Sequence, residues 1–189
     1  DSLVVPDYGT LKSEDGQDLV YRVYKPLGFD ETASAIRPGS PQSRVAQRQG
    51  DGSASDNPQA AIHGHTSQKK YPVFMTWYGG PGSQYVKRNW GNHFEQIMAE
   101  RGYVVFAMDN RGSPRRGRKF SDAIFKQLGK SEIADQLIGI AWLKAQPWVD
   151  AKHIGAFGWS YGGFQTLMLL AKAGDQIAAG VAVAPVTDW

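Results

Sequence analysis

Ser160 stands in Gly158-Trp159-Ser160-Tyr161-Gly162, a Gly-x-Ser-x-Gly spacing. A serine hydroxyl is a weak nucleophile until it is exposed, loses its proton to a base, and finds donors for the oxyanion its attack creates. This spacing supplies the exposure. It bends the chain sharply from a strand into a helix, and a side chain at 158 or 162 would crowd that bend against its neighbours. A helix starting at the nucleophile also turns its N-terminal N–H groups and positive end toward developing negative charge. The chemistry that suits this arrangement is acyl transfer, with Ser160 as nucleophile. The same pattern arises by chance in chains rich in Gly and Ser, so its surroundings must carry the assignment.

Those surroundings read as strand, turn and helix. Ile154 to Gly158 is an apolar strand, Tyr161 to Ala173 a helix, and Gly180 to Val186 a further strand. Upstream, Pro72 to Tyr78 is an apolar strand, and Asn89 to Arg101 reads as a helix closed by Gly102. Tyr103 to Asp109 is apolar throughout its centre, as expected of a strand buried on both faces of a parallel sheet. Ser131 is a suitable N-cap for a helix whose stripe is Ile133, Leu137, Ile140 and Ala141, and Pro147 stops it. Residues 8–25 form a hairpin about Glu14-Asp15-Gly16-Gln17. Repeated strand–helix–strand units make a mostly parallel, helix-covered α/β sheet. Between Phe29 and Tyr71 there is no aromatic residue, and only Ile36, Val45 and Ile62 are larger apolar ones. We expect residues 31–70 to be a disordered surface insertion, dividing an N-terminal hairpin (1–30) from a core (71–189).

The run Gly158-Trp159-Ser160-Tyr161-Gly162-Gly163 resembles the prolyl oligopeptidase superfamily of serine peptidases, and its Trp resembles the dipeptidyl peptidase IV branch. Three further blocks fall in matching order. Tyr78-Gly79-Gly80-Pro81-Gly82-Ser83-Gln84 resembles the loop carrying the oxyanion tyrosine. Asp109-Asn110-Arg111-Gly112-Ser113 resembles the strand-end block, and Ala184-Pro185-Val186-Thr187-Asp188-Trp189 the start of the specificity pocket. The resemblance implies an α/β-hydrolase fold with helices on both faces of the sheet, cut short after the strand that follows the elbow. It implies peptide hydrolysis through an acyl-enzyme on Ser160, with the Tyr161 N–H and the Tyr78 hydroxyl holding the oxyanion. Trp159, Val186 and Trp189 would shape a pocket for a small residue such as proline. No cofactor is implied, the partner is a peptide, the setting is periplasmic or secreted, and a homodimer of the complete protein stays open. Each role has a plainer alternative: Tyr78 as a packing aromatic, Trp189 as core, the glycine-rich loop as a simple turn. A phosphate loop is set aside, because no Lys is placed as one requires. An acylaminoacyl peptidase or esterase on the same fold also stays open, as does a non-catalytic module.

A hydrolase of this kind orders its triad Ser, acid, His. The four histidines, His63, His65, His93 and His153, all precede Ser160. His153 lies seven residues upstream on the same strand, which at ~3.3 Å per residue is about 20 Å, too far to take the proton. Asp175 follows the elbow helix, and Asp188 comes too early for the triad acid. These residues therefore hold a nucleophile and oxyanion donors without a base, and are expected to be inactive alone. His63 and His65 suggest at most a fortuitous metal site, and no metal is expected.

Composition excludes other classes. There is no Cys, which removes disulfides and thiolate metal sites. No apolar run approaches the ~20 residues of a membrane span. A net charge of +3 is too small to imply nucleic acid. Arg111, Arg115, Arg116, Arg118 and Lys119 cluster, but with Phe120 alone for an aromatic platform they read as a solvated loop.

Overall fold

The computed structural model describes residues 3–29, 69–89 and 91–189. The insertion expected at 31–70, with His63 and His65, lies outside these residues but for Lys69 and Lys70. Strands β1 (Asp7–Lys12) and β2 (Asp18–Tyr24) form the hairpin, with Gly16 at φ 81° in its turn. Strands β3 (Tyr71–Trp77), β4 (Val104–Met108), β5 (Val149–Trp159) and β6 (Ala179–Val183) follow. The sheet order is β1-β2-β4-β3-β5-β6. β1 pairs β2 and β2 pairs β4 antiparallel, and the remaining pairs are parallel. This is the mostly parallel α/β sheet expected.

Helix α1 (His93–Glu100) packs on one face, and α3 (Ser131–Lys144) and α4 (Tyr161–Ala173) on the other. A single turn, α2 (Arg118–Ser121), precedes α3. Alternation along the strands sorts the core between the faces. Val73, Met75, Val104, Phe106 and Met108 join Ile133, Ile140, Leu143 and Leu169 of α3 and α4. Val105 and Phe74 meet Ala99 and Met98 of α1 instead. β4, buried at every position, serves both layers.

Several boundaries move, each for a local reason. α1 begins at His93 rather than Asn89, because Gly91 sits at φ 74° and Asn92 caps the helix. The Asn92 side chain accepts the Glu95 N–H at 2.9 Å, and the Glu95 carboxylate accepts the Asn92 N–H, a capping box. Glu95 also receives both N–H groups of the buried Arg22 Nη2 within 3 Å, which ties α1 to β2. Ser131 is the first residue of α3 and not its cap. Its hydroxyl turns to the Ala123 carbonyl, and the upstream Gly129 N–H goes to Glu132 instead. β5 begins five residues earlier than expected, with a bulge: Val149 pairs Tyr71, but Ile154 pairs Val73. β6 ends at Val183, not Val186. Ala184 adopts φ 42°, and Pro185 has no N–H to continue the ladder.

Candidate active site

The Gly-x-Ser-x-Gly turn is built where β5 meets α4. Ser160 has φ 55° and ψ −113°, a conformation non-glycine residues rarely adopt. Its N–H donates to the Val183 carbonyl at 2.9 Å, and its own carbonyl accepts from the Phe164 N–H at 3.0 Å. Such a strained residue persists only where its surroundings over-determine it, and here they do. A Cβ on Gly158 would run into the Gly162 carbonyl, and one on Gly162 into the Trp77 carbonyl. A Cβ on Gly163 would sit 3.0 Å from the Val183 oxygen and 3.1 Å from Pro185. The Gly162 carbonyl is itself held by the Trp77 indole N–H at 3.1 Å and the Thr166 hydroxyl at 2.9 Å. The glycines are thus needed for close approach of the elbow to the ends of β3 and β6.

Tyr78 follows β3 at that same sheet edge. Its Cα lies 3.3 Å from where a Cβ on Gly162 would stand, directly beside the first turn of α4. Its half-buried ring lies 6.1 Å from that of Tyr161. The Tyr161 ring covers Gly80, where no Cβ would fit, and also meets Phe164 and Trp189, each at 5.4 Å. The Tyr161 phenol is buried and donates to Glu132 Oε1 at 2.6 Å. Burial first, then that bond to an acceptor, push its pKa far up. The side chain is therefore an anchor, and what it can offer a reacting carbonyl is its backbone N–H.

The pocket residues are less uniformly gathered. Trp189 is 63% exposed among the described residues, and its ring leans on Tyr161 and Phe164. Val186 is half-buried beyond the end of β6. Trp159 is 62% exposed, and among the described residues no ring contact joins it to the cluster. The structure thus brings Tyr78, Ser160, Tyr161 and Trp189 to one edge, with Trp159 and Val186 flanking.

Neither described histidine reaches this edge. His153 is 66% exposed in the β5 bulge and bonds Asp150 at 2.7 Å, and His93 opens α1 at the surface. Asp175 and Asp188 are exposed. Among the described residues no three His, Asp or Glu side chains gather as a metal site, and no helix is long and apolar enough to cross a membrane.

One expectation about charge is corrected. Arg111 does not belong to a solvated loop. It is buried, with Nη2 2.7 Å from Asp135 Oδ1 and its backbone N–H on the same carboxylate at 2.8 Å. A lone guanidinium there would be too costly to desolvate, and the bidentate partner on α3 offsets that cost. Phe120 is core rather than a platform, with Arg116 stacked on it. Arg118 and Lys119 are exposed as expected.

The site also uses residues to which the sequence reading gave no role. Asp109 accepts the Tyr85 N–H at 2.9 Å and the Val86 N–H at 3.1 Å, and so pins the far end of the loop after Tyr78. Burial raises its pKa, and the two N–H bonds oppose the shift. Asn110 and Gln165 both donate to the Gly79 carbonyl, at 2.8 and 2.9 Å. The available signal was Gln165 itself, a polar residue on a face of α4 that must be buried.

A model of the prolyl oligopeptidase family matches residues 90–189. A dipeptidyl peptidase 4 of Trichophyton equinum is 42% identical over 125 residues, 64% of this chain and 16% of its own length. The crystal structure of Porphyromonas gingivalis dipeptidyl peptidase 4 superposes with TM-score 0.75 at 31% identity, covering 100% of this chain and 22% of that one. A Bacteroides ovatus structure, provisionally named a dipeptidyl aminopeptidase IV, gives TM-score 0.77 at 35% identity over 98% of this chain and 22% of that one. The chain thus spans about a fifth or less of the proteins it matches. The family match, over more than half of the residues and including the elbow, agrees with the fold and the edge geometry: this chain belongs to the prolyl oligopeptidase family of serine peptidases.

Proposed function

We propose that this chain carries the nucleophile and oxyanion donors of a dipeptidyl-peptidase-type enzyme that cleaves after proline or another small residue. The observation that carries the reading is Ser160 at φ 55° on the strand–helix junction, with Tyr78 beside the first turn of the helix it starts. The Ser160 oxygen attacks the peptide carbonyl, and its proton passes to a base. The oxyanion accepts from the Tyr161 N–H and the Tyr78 hydroxyl. Collapse expels the amine, which takes the proton, and water then releases the acyl group from Ser160. Trp189 and Trp159, with the half-buried Val186, are the apolar side chains this edge offers to that small residue. Relatives named dipeptidyl peptidase 4 support the dipeptide specificity.

The base for the Ser160 proton is to be sought outside the described residues. His153, in the β5 bulge, is about 20 Å away by strand rise. The 189 residues alone are therefore expected not to turn over substrate at ordinary peptidase rates. The test compares the full-length enzyme with this chain on a proline-containing dipeptide amide and on a short acyl ester. We expect the full-length enzyme to prefer the amide and this chain to leave both intact. Preference for the ester would favour an esterase, and turnover by the chain alone, lost in His153→Ala, would overturn the spacing argument.

A further inference from the structure

We propose that Asn110, Gln136 and Gln165 are positioning residues for the reaction, a buried amide layer that holds the Gly79 carbonyl and thereby keeps the Tyr78 hydroxyl on the oxyanion. This inference rests on the reading of Tyr78 as an oxyanion donor. The three residues come from three elements: Asn110 follows β4, Gln136 lies in α3, and Gln165 lies in α4. All three are fully buried. Asn110 Nδ2 donates to the Gly79 carbonyl at 2.8 Å and to the Arg111 carbonyl at 2.6 Å. Two carbonyl partners leave that nitrogen only one orientation, so Asn110 Oδ1 faces the other way. It accepts there from Gln136 Nε2 at 3.0 Å, and Gln136 also donates to the Met108 carbonyl at 3.2 Å. Gln165 Nε2 gives the Gly79 carbonyl its second bond at 2.9 Å.

Both lone pairs of one carbonyl are then taken, which fixes the plane of its peptide against rotation in either sense. This matters because Gly79 and Gly80 are the most permissive residues a chain can place after Tyr78. Gly79 adopts φ 68°, and a Cβ there would collide with the amides of both Gln165 and Asn110. The phenol oxygen stands at the end of a long lever, so a small backbone rotation about Gly79 becomes a large displacement of the donor. Oxyanion donors lose most of their value when displaced by about an ångström. The layer has a second property. Gln165 lies on the helix that begins beside Ser160, so the donor loop and the nucleophile are bonded to one rigid element. Apolar side chains would fill this space at no cost in desolvation. Asn110 and Gln165 are explained by the carbonyl they hold, and Gln136 by the Asn110 oxygen it donates to.

The test is a double-mutant cycle in the full-length enzyme, measured on a proline-containing dipeptide amide under single-turnover conditions where acylation limits. Gln165→Met keeps length and volume and removes one donor. We expect the acylation rate to fall about tenfold, the worth of one well-made hydrogen bond, with KM within about twofold. Combined with Tyr78→Phe, it should cause no further loss, because the layer acts through the hydroxyl that Phe lacks. A merely structural role would lower the melting temperature and leave the rate of the folded enzyme intact. If Gln165→Met does not fold, Gln136→Met, which keeps both Gly79 donors and frees only Asn110, is read in the same cycle with a smaller expected fall of about threefold. If Tyr78→Phe is slow and the Met variants react at normal rates, the positioning inference fails and the oxyanion reading survives. Losses that multiply in the double variant likewise overturn it. If Tyr78→Phe itself reacts normally, the oxyanion reading fails and this inference with it.

Discussion

Ser160→Ala in the full-length enzyme is expected to lower kcat by about 10⁶, with KM little changed. Removing the nucleophile of a serine peptidase has an effect of this size, and what remains comes from the oxyanion donors and substrate binding alone. The substitution is a clean one. Ser160 makes its structural bonds through the backbone, from N–H to Val183 and from Phe164 to its carbonyl, and Ala keeps both. The strained φ of 55° costs Ala about as much as Ser. The melting temperature should therefore stay close to that of the parent while labelling by a fluorophosphonate disappears. A variant that keeps more than a tenth of the parent's kcat, or is still labelled at the same rate, would show that the nucleophile lies elsewhere.

Tyr78→Phe is expected to lower kcat by about 10²–10³, or ~3–4 kcal/mol, with KM nearly constant. The hydroxyl is a hydrogen-bond donor. Its bond strengthens as the carbonyl oxygen gains charge, so its loss is felt in the transition state more than in the bound substrate. Phe keeps the ring that lies 6.1 Å from Tyr161, so packing is preserved. The alternative, that Tyr78 merely packs, makes the opposite forecast: Phe is normal and Ala unstable. A Phe variant within threefold of the parent kcat, measured where acylation limits, would end the assignment.

Much of this site is legible in one dimension because its rules are local. The elbow needs glycines two residues either side of Ser160, a buried strand before it and a helix after it, and all of these lie within about twenty residues. The continuous apolar run of β4 announced a strand buried on both faces, and its burial at every position agrees. The Asp-Gly turn set the hairpin. Boundaries were legible less well, since they hang on single residues. The helix after Tyr78 starts where Asn92 can cap it. The strand after α4 stops where Ala184 turns left-handed.

Tertiary structure alone decided which polar residues were buried and whom they served. Arg111 read as one of five clustered cations, and only the approach of α3 made it the buried partner of Asp135. Gly79 and Gln165 are 86 residues apart, and Gly79 and Asn110 are 31 apart. No periodicity or turn rule relates positions so distant. They meet because the sheet order sets β3 between β4 and β5, so the loop leaving β3 is flanked by the strand-end block of β4 and by the helix that follows β5. The spacing around Ser160 determines that a nucleophile can be exposed at the end of a strand. Whether an oxyanion donor stands beside it depends on which strand ends are neighbours, and that is a property of the assembled sheet, in which each buried carbonyl must find a donor from whatever element lies next to it.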